Sequence, residues 1–190
     1  MMIDSEIEKT VKKYFPNLKG ESLNIVIKHS SYLKSNKGEK LILEGKRHHY
    51  FYLIVEGSVK SFYAKESKEV CTWFAFENEF IGTTSTLQGL PSNESVQLLE
   101  DSVFIRFNTQ KINELTQTYL SISHLLTNLW EEHATFLEKR LYQLQFLNSH
   151  ERYKALIKGT PEILQRVSLT DIASFLGVSR ETLSRMRAKR

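Results

Sequence analysis

Residues 169–187 have the sequence LTDIASFLGVSRETLSRMR, and this stretch decides how the C-terminal part of the chain folds. A helix-turn-helix needs two short helices that cross steeply, so small and apolar residues must fall at fixed positions. Ala173 stands where the two helices would touch, and Gly177 follows four residues later, where the chain must turn tightly. The residues that would close the wedge between the helices are Ile172, Leu176, Val178, Leu183 and Met186. The pattern therefore predicts two helices joined by a turn at Gly177.

The second predicted helix carries polar and charged residues suited to DNA. The candidate contact residues are Ser179, Arg180, Glu181, Thr182, Ser184, Arg185 and Lys189. Ser179 is placed to cap the helix, so that its N-terminal amides would point at a phosphate. Arginine makes bidentate hydrogen bonds to guanine, and a carboxylate accepts from the exocyclic amine of cytosine. We expect this helix to enter the major groove of double-stranded DNA; the alternative is an ordinary helical hairpin with solvated charges.

The charge distribution agrees with a nucleic-acid partner at this end of the chain. The net charge is +4, but residues 151–190 contain nine Lys/Arg and only four Asp/Glu, while the first 150 residues are almost neutral. A basic C-terminal segment alone is weak evidence, because it also occurs as a simple solubility feature.

The first part of the chain predicts an α+β fold whose main body is an antiparallel β-roll, sandwich or barrel. Short helices are expected between Ser5 and Ser30, with a break at Pro16 and Gly20. Short β-rich segments punctuated by glycine and polar turns follow, as is typical of antiparallel sheets. The predicted strands are Lys40–Leu43, Phe51–Val55, Val59–Tyr63, Val70–Phe76, Phe80–Ile81, Ser95–Leu99 and Val103–Phe107.

A long helix is predicted between about Lys111 and Leu147, with a possible break near Thr118. Leucine and isoleucine recur there at three- and four-residue steps with no glycine or proline between them. Trp130, Phe136 and Phe146 lie off this stripe, so much of the helix circumference is apolar and must be covered on more than one side. Two interpretations are open: a core helix of one domain, or a helix that also pairs with its copy in a homodimer, which we favour.

Composition excludes several other classes of protein. No stretch reaches the ~18 apolar residues of a membrane span, and the N-terminus lacks the apolar run of a signal peptide, so we expect a soluble, cytoplasmic protein. Cys71 is the single cysteine; we interpret it as a buried small hydrophobe, with a redox sensor as the alternative. We find no motif for a phosphate loop, a metal site or a nucleophile elbow, and therefore expect neither an enzyme nor a bound cofactor or metal.

With these motifs in place, nearly the whole chain resembles the Crp/Fnr superfamily of bacterial transcription regulators. That family combines a cyclic-nucleotide-binding-type β-roll, a long dimerisation helix and a C-terminal winged helix-turn-helix. The matching segments are Gly38–Gly45, Phe51–Gly57, Glu79–Gly82, Leu99–Ser102 and, most specifically, Ser179–Arg185. The resemblance implies that Arg180, Glu181 and Arg185 contact base edges.

Two departures from the family pattern alter what the resemblance implies. Members that bind cyclic nucleotides have Gly-Glu-Leu and, some ten residues later, Arg-Ser-Ala, whose glutamate and arginine hold the ribose and the phosphate. Here the corresponding residues are Gly82, Thr83 and Thr84, then Glu94, Ser95 and Val96, with Asn93 beside them. A carboxylate in place of the arginine repels an anionic phosphate, so we expect a degenerate effector pocket that does not bind cyclic AMP in the family's way. The sequence also stops at Arg190, which leads us to expect no full wing.

The sequence therefore predicts a regulator that binds an inverted-repeat operator as a homodimer. We divide it into a sensor domain (residues 1–110), a dimerisation helix (111–148) and a helix-turn-helix domain (149–190). The expected partners are double-stranded DNA, a second copy of the chain and RNA polymerase, in a bacterial cytoplasm; the small-molecule effector is not specified. The alternative is a ligand- or partner-sensing module whose DNA binding is weak or lost.

Overall fold

A computed structural model describes residues 2–66, 68–82 and 84–188. The helices are α1 (Met2–Tyr14), α2 (Gly20–Lys28), α3 (Thr84–Leu87), α4 (Thr109–Leu115), α5 (Leu120–Phe146), α6 (Ser149–Gly159), α7 (Ile163–Arg166), α8 (Leu169–Leu176) and α9 (Arg180–Ala188). The strands are β1 (Ser30–Ser35), β2 (Lys40–Ile42), β3 (Tyr50–Glu56), β4 (Val59–Lys65), β5 (Lys68–Ala75), β6 (Phe80–Ile81), β7 (Ser95–Leu98) and β8 (Ser102–Asn108).

The strands form two four-stranded sheets, and this confirms the predicted antiparallel β-roll. One sheet has the order β1-β8-β3-β6 and the other β2-β7-β4-β5, and the described pairings are antiparallel. Buried apolar residues from both sheets meet in one cluster, for example Ile54 of β3, Val96 of β7 and Phe104 of β8. The core of the roll therefore lies between its two sheets, as the alternation of side chains along each strand requires.

Two elements were not predicted from the sequence. Strand β1, with the polar sequence SSYLKS, pairs in register with β8 from Ser30 opposite Phe107 to Ser35 opposite Ser102. Its residues are mostly half-buried, so it lacks the apolar alternation that identifies a strand. The other element is the single-turn helix α3, which is too short for helical periodicity to appear.

The predicted long helix is divided, as the possible break near Thr118 suggested. Helix α4 ends at Leu115, and α5 then runs for 27 residues from Leu120. Its first turns are buried through Ile122, Leu125 and Leu126, which pack in a cluster with α1, α2 and the β1-containing sheet. The later part of α5 is different, because large apolar side chains there are exposed to solvent.

The C-terminal helices pack against the edge of the second sheet. Strand β5 is an edge strand, and an uncovered edge leaves backbone groups unpaired. Ser174 of α8 covers this edge: its Oγ accepts a 3.0 Å hydrogen bond from the Cys71 amide and donates to the carbonyl of Glu69 at 3.2 Å. The ring of Phe74 also lies 5.4 Å from that of Phe175. The helix-turn-helix is therefore seated on the roll.

Candidate nucleic-acid interface and effector pocket

Helices α8 and α9 form the turn that the sequence predicted at Gly177. Gly177 has φ +68° and ψ +36°, a left-handed conformation that glycine adopts without a Cβ penalty. The amide of Val178 donates to the carbonyl of Ala173 at 3.0 Å, which closes the end of α8. Ala173 is 2% exposed, so the small residue stands at the helix contact as expected. The predicted wedge residues share one cluster: Ile172, Leu176 and Leu183 are buried, and Val178 and Met186 are partly buried.

Ser179 caps helix α9. Its Oγ accepts a hydrogen bond of 3.1 Å from the amide of Thr182 and lies 3.1 Å from the Thr182 hydroxyl. The Ser179 hydroxyl thus accepts a hydrogen bond from one of the amides in the first turn that have no partner within the helix. A hydrogen bond from its own backbone amide, a hydrogen bond from Ser179 and the charges of Arg180 and Arg185 lower the pKa of Glu181. Glu181 therefore favours the ionised, acceptor-only form at neutral pH.

The outward face of α9 carries four exposed polar residues. Arg180, Glu181, Ser184 and Arg185 line one open surface depression, and Thr182 lies within 3.5 Å of the Arg185 guanidinium. Lys189 lies outside the described residues. The structure therefore places Arg180, Glu181, Ser184 and Arg185 together on one exposed face of α9.

The sequence did not predict the ion pairs that join helices α7 and α8 to the roll. Lys60 of β4 pairs with Asp171 of α8 at 2.7 Å and with Glu69 of β5 at 3.0 Å. Arg166 of α7 pairs with Glu77 at 2.7 Å and also contacts the carboxylate of Glu100. The partners that join the C-terminal helices to the roll lie 66–111 residues apart in the chain, so no local sequence pattern identifies them.

The predicted effector pocket is a cavity of about 240 Å³ between the roll and helix α5. Gly82, Thr84 and Glu94 line it, together with Trp73 and with Trp130 of α5. Asn93 and Ser95 of the predicted set do not line it. Asn93 faces an adjoining groove, Ser95 Oγ instead accepts from the amide of Glu44 at 3.1 Å, and Thr83 lies outside the described residues.

The carboxylate of Glu94 is buried, with the residue 9% exposed. Its described partners are neutral donors: the hydroxyl of Ser61, the hydroxyl of Thr72 at 3.4 Å, and the indole N–H of Trp73 at 3.2 Å. Burial raises the pKa of Glu94, although these hydrogen bonds and His133 partly oppose the shift. The wall of the cavity thus holds a buried acidic group.

Cys71 fits the interpretation as a buried small hydrophobe. The residue is 4% exposed, and burial raises the pKa of its thiol to about 12, which disfavours the reactive thiolate.

His48 accepts a hydrogen bond of 2.9 Å from the amide of Leu43. Within the described residues, no group of His, Cys, Asp and Glu is arranged to hold a metal ion. None of the described helices is long and apolar enough to cross a membrane.

Comparisons with known protein families and solved structures identify the type of one domain and the fold of the chain. Residues 33–119 match the family model of the cyclic nucleotide-binding domain. No curated protein matches the sequence of this chain. Among solved structures, FixK2 from Bradyrhizobium japonicum is 18% identical, with a TM-score of 0.71 over 84% of this chain and 83% of its own.

Two further solved structures have the same fold. A protein of the Crp/Fnr family from Eubacterium rectale is 13% identical, with a TM-score of 0.75 over 93% of this chain and 87% of its own. The catabolite activator protein of Thermus thermophilus is 20% identical, with a TM-score of 0.58 over 93% of this chain and 85% of its own. Residues 33–119 thus form a domain of the cyclic nucleotide-binding type, and the chain has the fold of the Crp/Fnr family of transcription regulators.

Proposed function

We propose that this chain is a sequence-specific, DNA-binding transcription regulator without enzymatic activity. The observation that carries the proposal is helix α9, which packs its apolar side on α8 through Leu183 and presents Arg180, Glu181 and Arg185 outward. This pairing of a buried wedge with an exposed, charged recognition face is what major-groove reading requires. DNA as the partner implies a place in the bacterial cytoplasm and a functional link to RNA polymerase.

The proposed active species is a homodimer built on α5. Leu137, Leu141 and Leu144 recur on one side of this helix and are 50%, 56% and 53% exposed in the single chain. A contiguous apolar stripe of this kind is costly in water and typical of a helix pair. Pairing two copies would bury the stripe, and it would give the two recognition helices the two-fold relation that an inverted repeat needs.

The three units serve different steps in this proposal. Residues 1–110 form the sensor, residues 111–148 the dimerisation helix and residues 149–190 the DNA-binding unit. The sensor's cavity is closed on one side by α5, through Leu129, Trp130 and His133. An effector in that cavity would therefore contact the dimerisation helix directly. Glu94 excludes the cyclic phosphate from this cavity, because it places a buried acidic group where the phosphate would lie.

Selection of bound duplexes from random DNA, followed by gel shift at several salt concentrations, tests the proposal. We expect an inverted repeat with half-sites about 34 Å apart and an affinity that falls steeply as salt rises. A protein that enriches no sequence, or whose binding does not depend on salt, would instead be the sensing module without DNA binding.

A further inference from the structure

The effector cavity combines a buried acidic group with a wall of aromatic rings. Trp73, Phe74, Phe80, Trp130 and Phe136 line it, and Glu94 lies at one side with its carboxylate held by neutral donors. Aromatic faces carry negative electrostatic potential, so they attract cations and do not attract anions. The aromatic walls and the carboxylate therefore both favour a positively charged ligand.

Other titratable groups at the cavity do not change this balance. Glu79 and Glu132 also line it, and His133 is the basic side chain among its described lining residues. An ionised carboxylate that is buried without a counter-charge is unfavourable, and burial does raise the pKa of Glu94. A cation brought in by a ligand would supply the missing counter-charge.

The two arginines that line the adjoining groove are partly engaged with the end of α8. Arg140 and Arg152 line the adjoining groove, but Arg140 donates to the carbonyl of Phe175 at 2.6 Å and stacks on the Phe175 ring, 3.9 Å from its centroid. Arg152 donates to the carbonyls of Leu147 at 2.6 Å and Leu176 at 3.1 Å. Both guanidinium groups thus help to hold the end of α8, and neither forms an ion pair with Glu94, which lines the same groove. Nη1 of Arg140 and Nε of Arg152 have no hydrogen-bond partner among the described residues.

We infer that the effector of this regulator is a small organic cation, an aromatic or alkyl amine whose ammonium group pairs with Glu94 while its apolar part lies between Trp73 and Trp130. The inference rests on the proposed function in that it assigns the ligand class of the effector cavity. The volume of about 240 Å³ is below the ~300–1,000 Å³ of sites for drug-sized ligands, so a ligand that stays within this cavity has few heavy atoms.

Three probes of nearly equal size and shape test the charge preference. They are 2-phenylethylamine, 2-phenylethanol and phenylacetate, which carry positive, neutral and negative groups on the same ring. Calorimetry of the full chain at neutral pH should show the amine binding at least about tenfold more tightly than the alcohol, since it adds a charge-assisted hydrogen bond and a cation–π contact. Phenylacetate should bind most weakly. Equal affinities, a preference for phenylacetate, or no binding of the amine at millimolar concentration would overturn the inference.

Variants test whether Glu94 causes the preference for the amine over the alcohol. In Glu94→Gln the amine should lose its advantage and bind no more tightly than the alcohol, whereas the affinity of the alcohol should stay at the wild-type value. Glu131→Gln, an exposed acid on α5 outside the cavity lining, is the matched control and should keep the wild-type order. An unchanged amine preference in Glu94→Gln would show that the cation is held elsewhere.

A second variant covers the case in which Glu94→Gln does not fold. Trp130 is partly exposed on α5, and Trp130→Leu should weaken the amine by a larger factor than the alcohol, because only the amine loses a cation–π contact. Equal losses for the two probes would contradict the assignment. These measurements contain no DNA, so a failure of operator binding and a failure of the ligand assignment remain distinguishable.

Discussion

The guanidinium group of Arg166 grips the carboxylate of Glu77 through two hydrogen bonds, from Nη2 to Oε1 at 2.7 Å and from Nη1 to Oε2 at 2.8 Å. Arg166 ends α7, immediately before the helix-turn-helix, and Glu77 lies in the turn that follows β5. A bidentate pair fixes orientation as well as distance. Together with the pair between Lys60 and Asp171, it fixes the position of the helix-turn-helix on the β-roll.

Removing the Arg166 charge should weaken the contact between the helix-turn-helix and the β-roll. We expect Arg166→Met to lower the free energy of unfolding by about 1–3 kcal/mol, because Glu77 and Glu100 lose a charged donor at partly buried positions. Urea denaturation measures the change, and hydrogen exchange in α8 reports local opening. The control is Arg187→Met, an exposed arginine on α9, which should be near neutral. An Arg166→Met protein as stable as this control would contradict the role of the pair.

The same pair makes the stability depend on pH. Hydrogen bonding from Arg166 lowers the pKa of Glu77 from 4.5 to about 2. A depressed carboxyl pKa contributes stability that is present above pH 4.5 and is lost as the pH falls through about 2. The stability difference between wild type and Glu77→Gln should therefore shrink as the pH falls through this window.

Acid titration of both proteins, followed by urea denaturation at each pH, measures this difference. Glu79 and Glu94 have raised pKa values and contribute with the opposite sign. The contribution of Glu94 cancels in the comparison, whereas that of Glu79 is smaller in Glu77→Gln, because the charge of Glu77 is one cause of its raised pKa. A difference that stays constant down to about pH 2 would show that the ion pair does not set the pKa of Glu77.

The homodimer should depend on the exposed stripe of α5. Changing Leu137 and Leu141 together to Glu should give monomers that no longer bind an operator tightly, because like charges would face each other across the helix pair. Sedimentation velocity measures the association state. Lys139→Glu places a new carboxylate on the other side of α5 and should stay dimeric. A wild-type chain that sediments as a monomer at micromolar concentration would refute the dimer.

Base reading should be divided among the residues of α9. We expect Arg185 to contact a guanine, Glu181 to accept from a cytosine amine and Arg180 to share base and phosphate contacts. Arg185→Ala should then cost about 1–3 kcal/mol per half-site and relax preference at one base pair, as measured by repeating the duplex selection.

Lys189→Ala provides the contrast to Arg185→Ala. It removes a charge predicted from sequence to meet phosphate, so it should weaken binding to all duplexes alike and reduce the salt slope by about one. If Arg185→Ala selected the same operator as wild type at every position, its base-reading role would be wrong.

Cyclic AMP should not bind in the effector cavity with micromolar affinity. Calorimetry is expected to show no such binding, because Glu94 lies where an arginine would be needed and the described lining contains neither lysine nor arginine. Loss of a charge-assisted contact to a buried phosphate typically costs several kcal/mol. Restoring a cation through Glu94→Arg gives a further check: any gain in affinity should appear in this variant and not in Glu94→Gln.

The sequence by itself determined the elements whose signal is local. Ala173, Gly177 and the apolar residues around them specify the helix-turn-helix, because helix contacts and a left-handed turn constrain residue type within a few positions. The short strands and the apolar surface of α5 were likewise predictable from periodicity. The departure at Glu94 stays a prediction from the sequence, and it rests on the resemblance to the family pattern.

Only the tertiary structure decided which distant residues meet. It pairs β1 with β8 although β1 has little apolar alternation, and it covers the edge of β5 with Ser174. It joins Arg166 to Glu77 and Lys60 to Asp171 across long stretches of chain. It also surrounds Glu94 with neutral donors and aromatic walls. The physical reason is that local periodicity constrains neighbours along the chain, whereas edge pairing, ion pairs and the desolvation of a carboxylate depend on what packs against a residue from elsewhere.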